Sequence, residues 1–150
     1  MRLVVQRVEK AKVQRLSQDK SWDTVGEIGK GLFVLVGFKK GDTEKDIDLL
    51  AAKLSKLRVM SDAEDKMNLS ISDVDGKVLV VSQFTLYADT SGGNRPSFID
   101  AEEPSTAKEL YEFFITKLKE LGLDIQTGSF GDYMKIETIL DGPVTIIYSK

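Results

Sequence analysis

Two short stretches hold the residues best suited to chemistry, Ser82-Gln83-Phe84-Thr85-Leu86 and Gly142-Pro143-Val144-Thr145. The first sets hydroxyls and an amide at the end of an apolar run, Val78-Leu79-Val80-Val81, and the second sets a Gly-Pro bond at the entrance to another, Val144-Thr145-Ile146-Ile147. The chain contains no His and no Cys. That removes the usual general base, the commonest metal ligand and the thiolate nucleophile. Chemistry must therefore rest on hydroxyls, amides, carboxylates, Lys or Arg, backbone groups, or groups that a substrate brings. Ser82 and Thr85 are nucleophile candidates by type, yet an unassisted hydroxyl is a poor nucleophile at neutral pH. Lys77 shares the strand with Ser82 but lies roughly 17 Å from it when extended, too far for a Ser-Lys pair. Asp73-Val74-Asp75-Gly76 lacks the remainder of a calcium loop and reads as a turn. No metal and no cofactor is expected.

The elements that must position these residues follow from periodicity. Alternation predicts a strand over Arg2–Val8, with Leu3, Val5 and Arg7 on one face, and a second over Lys10–Leu16. Ser17-Gln18-Asp19-Lys20 is a polar turn from which Thr24–Ile28 returns as a hairpin. Gly29-Lys30-Gly31 precedes a buried strand, Leu32–Phe38. Asp42 or Thr43 caps a helix whose apolar stripe is Ile47, Leu50, Ala51, Leu54 and Leu57. A short strand near Arg58–Met60 and a polar loop, Ser61–Lys66, follow. Asp75-Gly76 then turns the chain into a long strand, Lys77–Tyr87, on which Ser82, Phe84 and Leu86 face one side and Gln83, Thr85 and Tyr87 the other. The Gly-, Ser- and Asn-rich stretch Asp89–Pro96 is a surface loop. A second helix runs from Pro104 or Ser105 to Leu121, with Pro in its first turn and Gly122 past its end. Its inner stripe is Ala107, Leu110, Tyr111, Phe114, Leu118 and Leu121. Strands near Met134–Leu140 and Val144–Ser149 close the chain across Asp141-Gly142-Pro143. The expected fold class is α+β: a largely antiparallel, curled, barrel-like sheet packed on two main helices.

With 150 residues and no linker, repeat or low-complexity tract, the chain reads as one domain, 1–150. A chain of this size hides roughly 68–70% of its unfolded surface. The composition, 41% hydrophobic and 30% charged, is that of an ordinary globular protein. A net charge of −3 provides no global positive field to draw in nucleic acid, although Lys39-Lys40 and Arg95 could form a local patch. The longest apolar run, Leu32–Val36, is far too short to span a membrane. The expectation is a cytoplasmic protein with no membrane partner.

The motifs, read together, resemble D-aminoacyl-tRNA deacylases. The resemblance is carried by Ser82–Leu86, Asn94-Arg95-Pro96-Ser97-Phe98, Gly128-Ser129-Phe130-Gly131 and Gly142–Thr145, with Gln6-Arg7-Val8 and Ala101-Glu102-Glu103-Pro104 fitting as well. It runs in the same order from Met1 to Tyr148. It implies a homodimeric hydrolase that cleaves the ester joining a D-amino acid, or glycine, to the 3′ end of tRNA, a chiral proofreading step in translation. By the same resemblance, Ser82, Gln83, Phe84 and Thr85 line the catalytic pocket, and Met134 lies beside the terminal adenosine. A cis Gly142-Pro143 peptide reaches into the partner's pocket, where its carbonyls hold the substrate amino group and exclude an L side chain. Arg7 helps to orient that loop. Proline is the one residue type before which a cis bond costs little, and glycine permits close backbone approach.

The resemblance also implies substrate-assisted catalysis, in which the ribose 2′-OH helps to activate water; backbone N–H groups around Gln83–Thr85 are the candidates to hold the oxyanion. A pocket that grips only the CCA end needs few phosphate contacts, so salt dependence should be shallow, and no DNA partner is implied. Two positions depart from the family pattern. Leu140 stands where Asn is usual, two residues before Gly142, and Asp132 stands where Ala is common after Gly131. The altered Leu140 position motivates an alternative, a non-catalytic tRNA 3′-end binding protein on the same fold. A small esterase using Ser82 or Thr85 is a third reading.

Overall fold

A computed structural model describes all 150 residues, Met1–Lys150. Its elements in chain order are β1 (Arg2–Leu16), β2 (Trp22–Ile28), β3 (Gly31–Gly37), α1 (Glu44–Ser55), β4 (Met60–Ser61), β5 (Met67–Leu69), β6 (Lys77–Ser82), α2 (Pro104–Glu120), β7 (Asp124–Thr127) and β8 (Met134–Ser149). The main sheet runs β2-β1-β3-β6-β7, with β8 along the other side of β1. Pairing is antiparallel wherever β1 takes part, but β3, β6 and β7 are parallel neighbours. The α+β class and the barrel-like curl hold; antiparallel pairing dominates through β1, and the parallel neighbours β3, β6 and β7 make the sheet mixed.

The helices form as their caps and stripes predict. Thr43 caps α1, and the Asp46 carboxylate accepts from both the Thr43 N–H (3.0 Å) and its hydroxyl (2.8 Å). Those bonds hold the Asp46 carboxyl below the usual carboxylate range. Pro104 opens α2, and Gly122 follows it with φ of 84°, a left-handed conformation that suits glycine. Tyr111, Phe114, Ile115 and Leu118 are the buried residues of α2; Leu121, expected in the stripe, is exposed because the helix has already ended at Glu120.

Two cores explain why the sheet curls. Leu32, Val34, Val36, Val78 and Val80 face the helices in a large cluster with Leu50, Leu54, Phe114 and Leu118. The alternate residues Phe33, Leu79 and Val81 face the other way, against Val8, Ala11, Val13 and Ile28. β3 and β6 are thus buried on both faces, which accounts for their continuous apolar sequence. β1 serves both layers. Its first half pairs with β3 and its second half with β2, while β8 follows it throughout.

The expected pairs of strands, Arg2–Val8 with Lys10–Leu16 and Met134–Leu140 with Val144–Ser149, are therefore each one continuous strand. Irregular register near Gln6, Val8 and Lys10 marks where the sequence pattern broke. β7 was not expected; its four residues are too few to show a period.

The sheet nearly closes where β2 crosses β6 and β7. A Cβ on Gly26 would lie 2.5 Å from the Thr127 carbonyl oxygen and 2.8 Å from Leu79 Cδ1. Only glycine allows this approach. Gly26→Ala should destabilise the protein by about 1–3 kcal/mol, because a backbone atom cannot move aside as a side-chain tip can. Thermal unfolding checks this: Tm should fall by several degrees, and an unchanged Tm would mean that β2 does not pack where described.

Candidate functional site

β6 ends at Ser82, five residues before the point that alternation predicts. Its parallel partner β3 ends nearby, and the Gln83 N–H makes a last bond to the Val36 carbonyl at 2.7 Å. The chain then tightens into a 3₁₀ turn, Phe84–Tyr87. Gly37 makes room for it: a Cβ there would lie 2.8 Å from the Gln83 carbonyl oxygen and 3.1 Å from Leu86 Cβ. From outside, Arg2 donates to the Leu86 carbonyl and lies 4.8 Å above the Tyr87 ring. Burial and the nearby Asp42 charge push the Tyr87 phenol up to about 12, so it stays protonated.

The turn changes which groups face the site. Phe84 and Leu86 no longer follow Ser82 in strand alternation. Gln83 Nε2 donates to Thr85 Oγ1, which ties these two side chains to each other. The amide of Gln83, one of the expected oxyanion donors, is already bonded to Val36. The amides of Phe84 and Thr85 open the 3₁₀ turn and have no carbonyl to donate to within it, the general condition of a first helical turn.

These residues border a cleft of about 770 Å³. Ser82, Gln83 and Phe84 line it; Thr85 does not. Phe84 is 57% exposed and meets Phe98 edge-on, with ring centroids 5.0 Å apart. Phe98 is brought back to Phe84 by the paired backbone bonds of Asp89 and Ser97, both 2.8 Å, that close the intervening polar loop. Asp89 is itself held below the usual carboxylate range by the Ser91 N–H and hydroxyl. The opposite wall includes Phe130 and Met134. Met134 Sδ accepts from the Ser129 N–H at 3.3 Å and sits 3.1 Å from where a Cβ on Gly128 would be.

Tyr111 donates its hydroxyl to the Val80 carbonyl at 2.9 Å and packs on Phe130, 5.7 Å between ring centroids, so α2 braces this wall; burial pushes its phenol up. Glu102, Glu103 and Asp132 also line the cleft, which holds no Lys or Arg. A cation such as an ammonium suits that lining better than a phosphate does. A second depression, about 480 Å³, lies at the β1–β2 hairpin among Arg15, Ser17, Asp19 and Ser21 and contains none of the motif residues.

The second motif lies elsewhere. Gly142-Pro143 is cis and exposed, and β8 bends as it runs through this peptide, where its register against β1 shifts. Gly142 has φ of 119°, a conformation that L residues rarely adopt, and a Cβ there would lie 2.9 Å from Val144 Cγ2 and 3.2 Å from Arg7 Nη2. Arg7 is the one buried charged residue of the chain. Its Nη1 donates to the Val59 carbonyl at 2.7 Å, its Nε to the Asp141 carbonyl at 3.3 Å, and Nε lies 3.0 Å from the Asp141 carboxylate. The residue preceding the bend is thereby clamped from within. Neither Gly142, Pro143 nor Arg7 lines the cleft, so one copy of the chain does not bring its two motifs together.

Comparison with known proteins identifies relatives along the whole chain. A model of the family described as D-Tyr-tRNA(Tyr) deacylase matches residues 4–149. A D-aminoacyl-tRNA deacylase of Dehalococcoides mccartyi is 53% identical over 147 residues, covering 98% of this chain and 93% of the relative. One of Thermotoga petrophila is 52% identical over 147 residues, covering 98% and 95%. Among solved structures, the c-Myc DNA unwinding element binding protein superposes with a TM-score of 0.90 at 35% identity, covering 100% of this chain and 99% of that one.

The Arg7 clamp has a measurable consequence. Arg7→Ala strands the buried Val59 carbonyl and leaves a half-buried carboxylate unpaired, which should cost about 2–4 kcal/mol in urea unfolding. Arg7→Lys keeps the charge but cannot reach three acceptors in one plane, and should recover less than half of that loss. Equal stability of wild type and Arg7→Ala would remove the clamp from the account.

Proposed function

The chain belongs to the D-Tyr-tRNA(Tyr) deacylase family and hydrolyses the ester of D-aminoacyl-tRNA; we propose that it does so with backbone and substrate groups, using a cleft on one copy and the Gly142-Pro143 bend of another. The observation that carries this reading is the turn at the end of β6. It leaves the amides of Phe84 and Thr85 without backbone partners at the edge of a cleft that Ser82, Gln83 and Phe84 line and that holds no Lys or Arg.

In the proposed sequence, the terminal adenosine lies between Met134 and the Phe84 wall, with its 3′ ester at the turn. The ribose 2′-OH assists a water molecule to add to the ester carbonyl. The Phe84 and Thr85 amides hold the oxyanion, worth a few kcal/mol for preorganised donors. Collapse breaks the bond to the ribose 3′-oxygen, which takes a proton and leaves as tRNA, and frees the D-amino acid. Ser82, Gln83 and Thr85 position rather than attack.

Chirality is read at the α-carbon. The carbonyls of Gly142 and Pro143, supplied by the second copy, receive the substrate ammonium and occupy the space of an L side chain. A D side chain points to solvent. Glycine has no side chain to exclude, so glycyl-tRNA is also a substrate. Arg7, through Asp141, sets the direction of the bend.

Dimerisation is supported by β8. It pairs only with β1, leaving sixteen residues with one open edge, and Ile139, Leu140 and Ile147 are exposed along it. A long apolar edge of this kind is ordinarily covered. The whole of 1–150 acts as one catalytic domain, and its substrate places it in the cytoplasm. No helix is long and apolar enough to cross a membrane.

Purified protein in chelator should deacylate D-Tyr-tRNA rapidly and leave L-Tyr-tRNA intact. Loss of neither ester would favour a binding protein, and equal loss of both would remove the chiral role from Gly142-Pro143. Ser82→Ala and Thr85→Ala should each retain activity within about tenfold of wild type, the scale of one lost hydrogen bond. A loss of about 10⁴-fold or more would instead identify a nucleophile. By light scattering, the chain should run at twice its 16.7 kDa mass. Ile147→Asp should shift it toward monomer and lower activity in proportion; an active monomer would refute the two-copy site.

A further inference from the structure

We infer that Tyr133, supported by Trp22 and flanked by Lys135, is a stacking platform for the tRNA nucleotide that precedes the terminal adenosine. The inference rests on the deacylase reading of the cleft and extends it to the neighbouring nucleotide.

Tyr133 lines the cleft together with Ser82, Phe84 and Met134, yet it is 73% exposed. It is held in that position. The Leu16 N–H donates to the Tyr133 carbonyl at 2.9 Å where the β1–β2 hairpin meets the start of β8. The Trp22 ring lies 6.1 Å away, tilted by 48°, and Lys135 Nζ is 4.0 Å from the centre of that ring. Lys135 forms no ion pair with a carboxylate. By contrast Arg15, on the neighbouring strand, has Asp23 at 3.8 Å and Asp132 at 3.9 Å.

An exposed aromatic ring at the rim of a cleft, packed against a second ring that also holds an ammonium without a carboxylate partner, matches the chemistry of a single-stranded nucleotide. The base offers a π-face to Tyr133, and its phosphate offers a charge to Lys135. The cleft itself, lined by Glu102, Glu103 and Asp132, is a poor place for that phosphate. The backbone of the RNA must therefore leave the cleft at its rim, and the platform is where the rim carries both an aromatic face and a free cation.

Two substrates separate this role from general cleft structure: D-Tyr-tRNA, and D-tyrosyl adenosine, which lacks the preceding nucleotide. Tyr133→Ala should narrow the kcat/KM preference for the tRNA ester over the adenosine ester by roughly tenfold, through KM, the scale of one base stacked on an aromatic ring. Tyr133→Phe should restore it. Trp22 is the only tryptophan, so its fluorescence gives an independent readout. Uncharged tRNA ending in CCA should quench it, the same tRNA without CCA should not, and Tyr133→Ala should reduce the quench.

An equal fall on both substrates, or no change in their ratio, overturns the platform. If wild type cleaves neither ester, the deacylase reading fails, while CCA-dependent quenching at Trp22 still decides whether the platform binds RNA.

Discussion

Everything in the site depends on holding backbone groups still, because the chain has no imidazole and no thiol to work with. Side chains can be aimed by rotamers; carbonyls and amides can be aimed only by fixing the chain on both sides of them. At the first motif this is done by packing. The last ladder bond, from Gln83 to Val36, ends β6, and the missing side chain of Gly37 lets the following turn settle against β3. At the second motif it is done by charge. Arg7 reaches from β1 to the carbonyl and carboxylate of Asp141, next to the bend, and to Val59 on a different segment. A guanidinium has enough donors in one plane to satisfy all three while buried, which a lysine has not.

The sequence made the helices and most strand positions legible for physical reasons, and concealed other features for equally physical ones. α1 combines a cap with an apolar stripe, and α2 combines an opening Pro104, a stripe and a closing Gly122, independent cues that agree. The end of β6 had none. Phe84–Tyr87 alternates in polarity as a strand would, and what bends it is Gly37, a residue nearly fifty positions earlier. Gly142-Pro143 read as the turn of a hairpin, yet β8 passes through it as one strand because both halves pair with β1. The parallel partnership of β3, β6 and β7 was invisible, since strands buried on both faces lose the alternation that reports a neighbour.

The residues of the site were legible by type and motif, but their grouping was not. Ser82, Gln83, Phe84 and Met134 share the cleft. Thr85 stands outside it, and the amide of Gln83 is spent on the sheet, which leaves Phe84 and Thr85 as the available donors. Tyr133 drew no attention in the sequence, because a lone tyrosine between Asp132 and Met134 carries no period of its own. Its exposure and its contact with Trp22 exist only once the hairpin and β8 are brought together.

A net charge of −3 on a protein that handles RNA is then less paradoxical than it first looks. The cleft's carboxylates, Glu102, Glu103 and Asp132, favour the one cationic part of the substrate, its ammonium, and disfavour phosphate. On the proposed reading this division is useful. Attraction within the cleft is directed to the aminoacyl adenosine and, at its rim, to the nucleotide beside it, the parts shared by every aminoacyl-tRNA. In the proposal, chirality is read by the Gly142 and Pro143 carbonyls, which take up the space of an L side chain and leave a D side chain in solvent. On that reading the pocket excludes an L side chain and makes no contact by which to tell one D side chain from another.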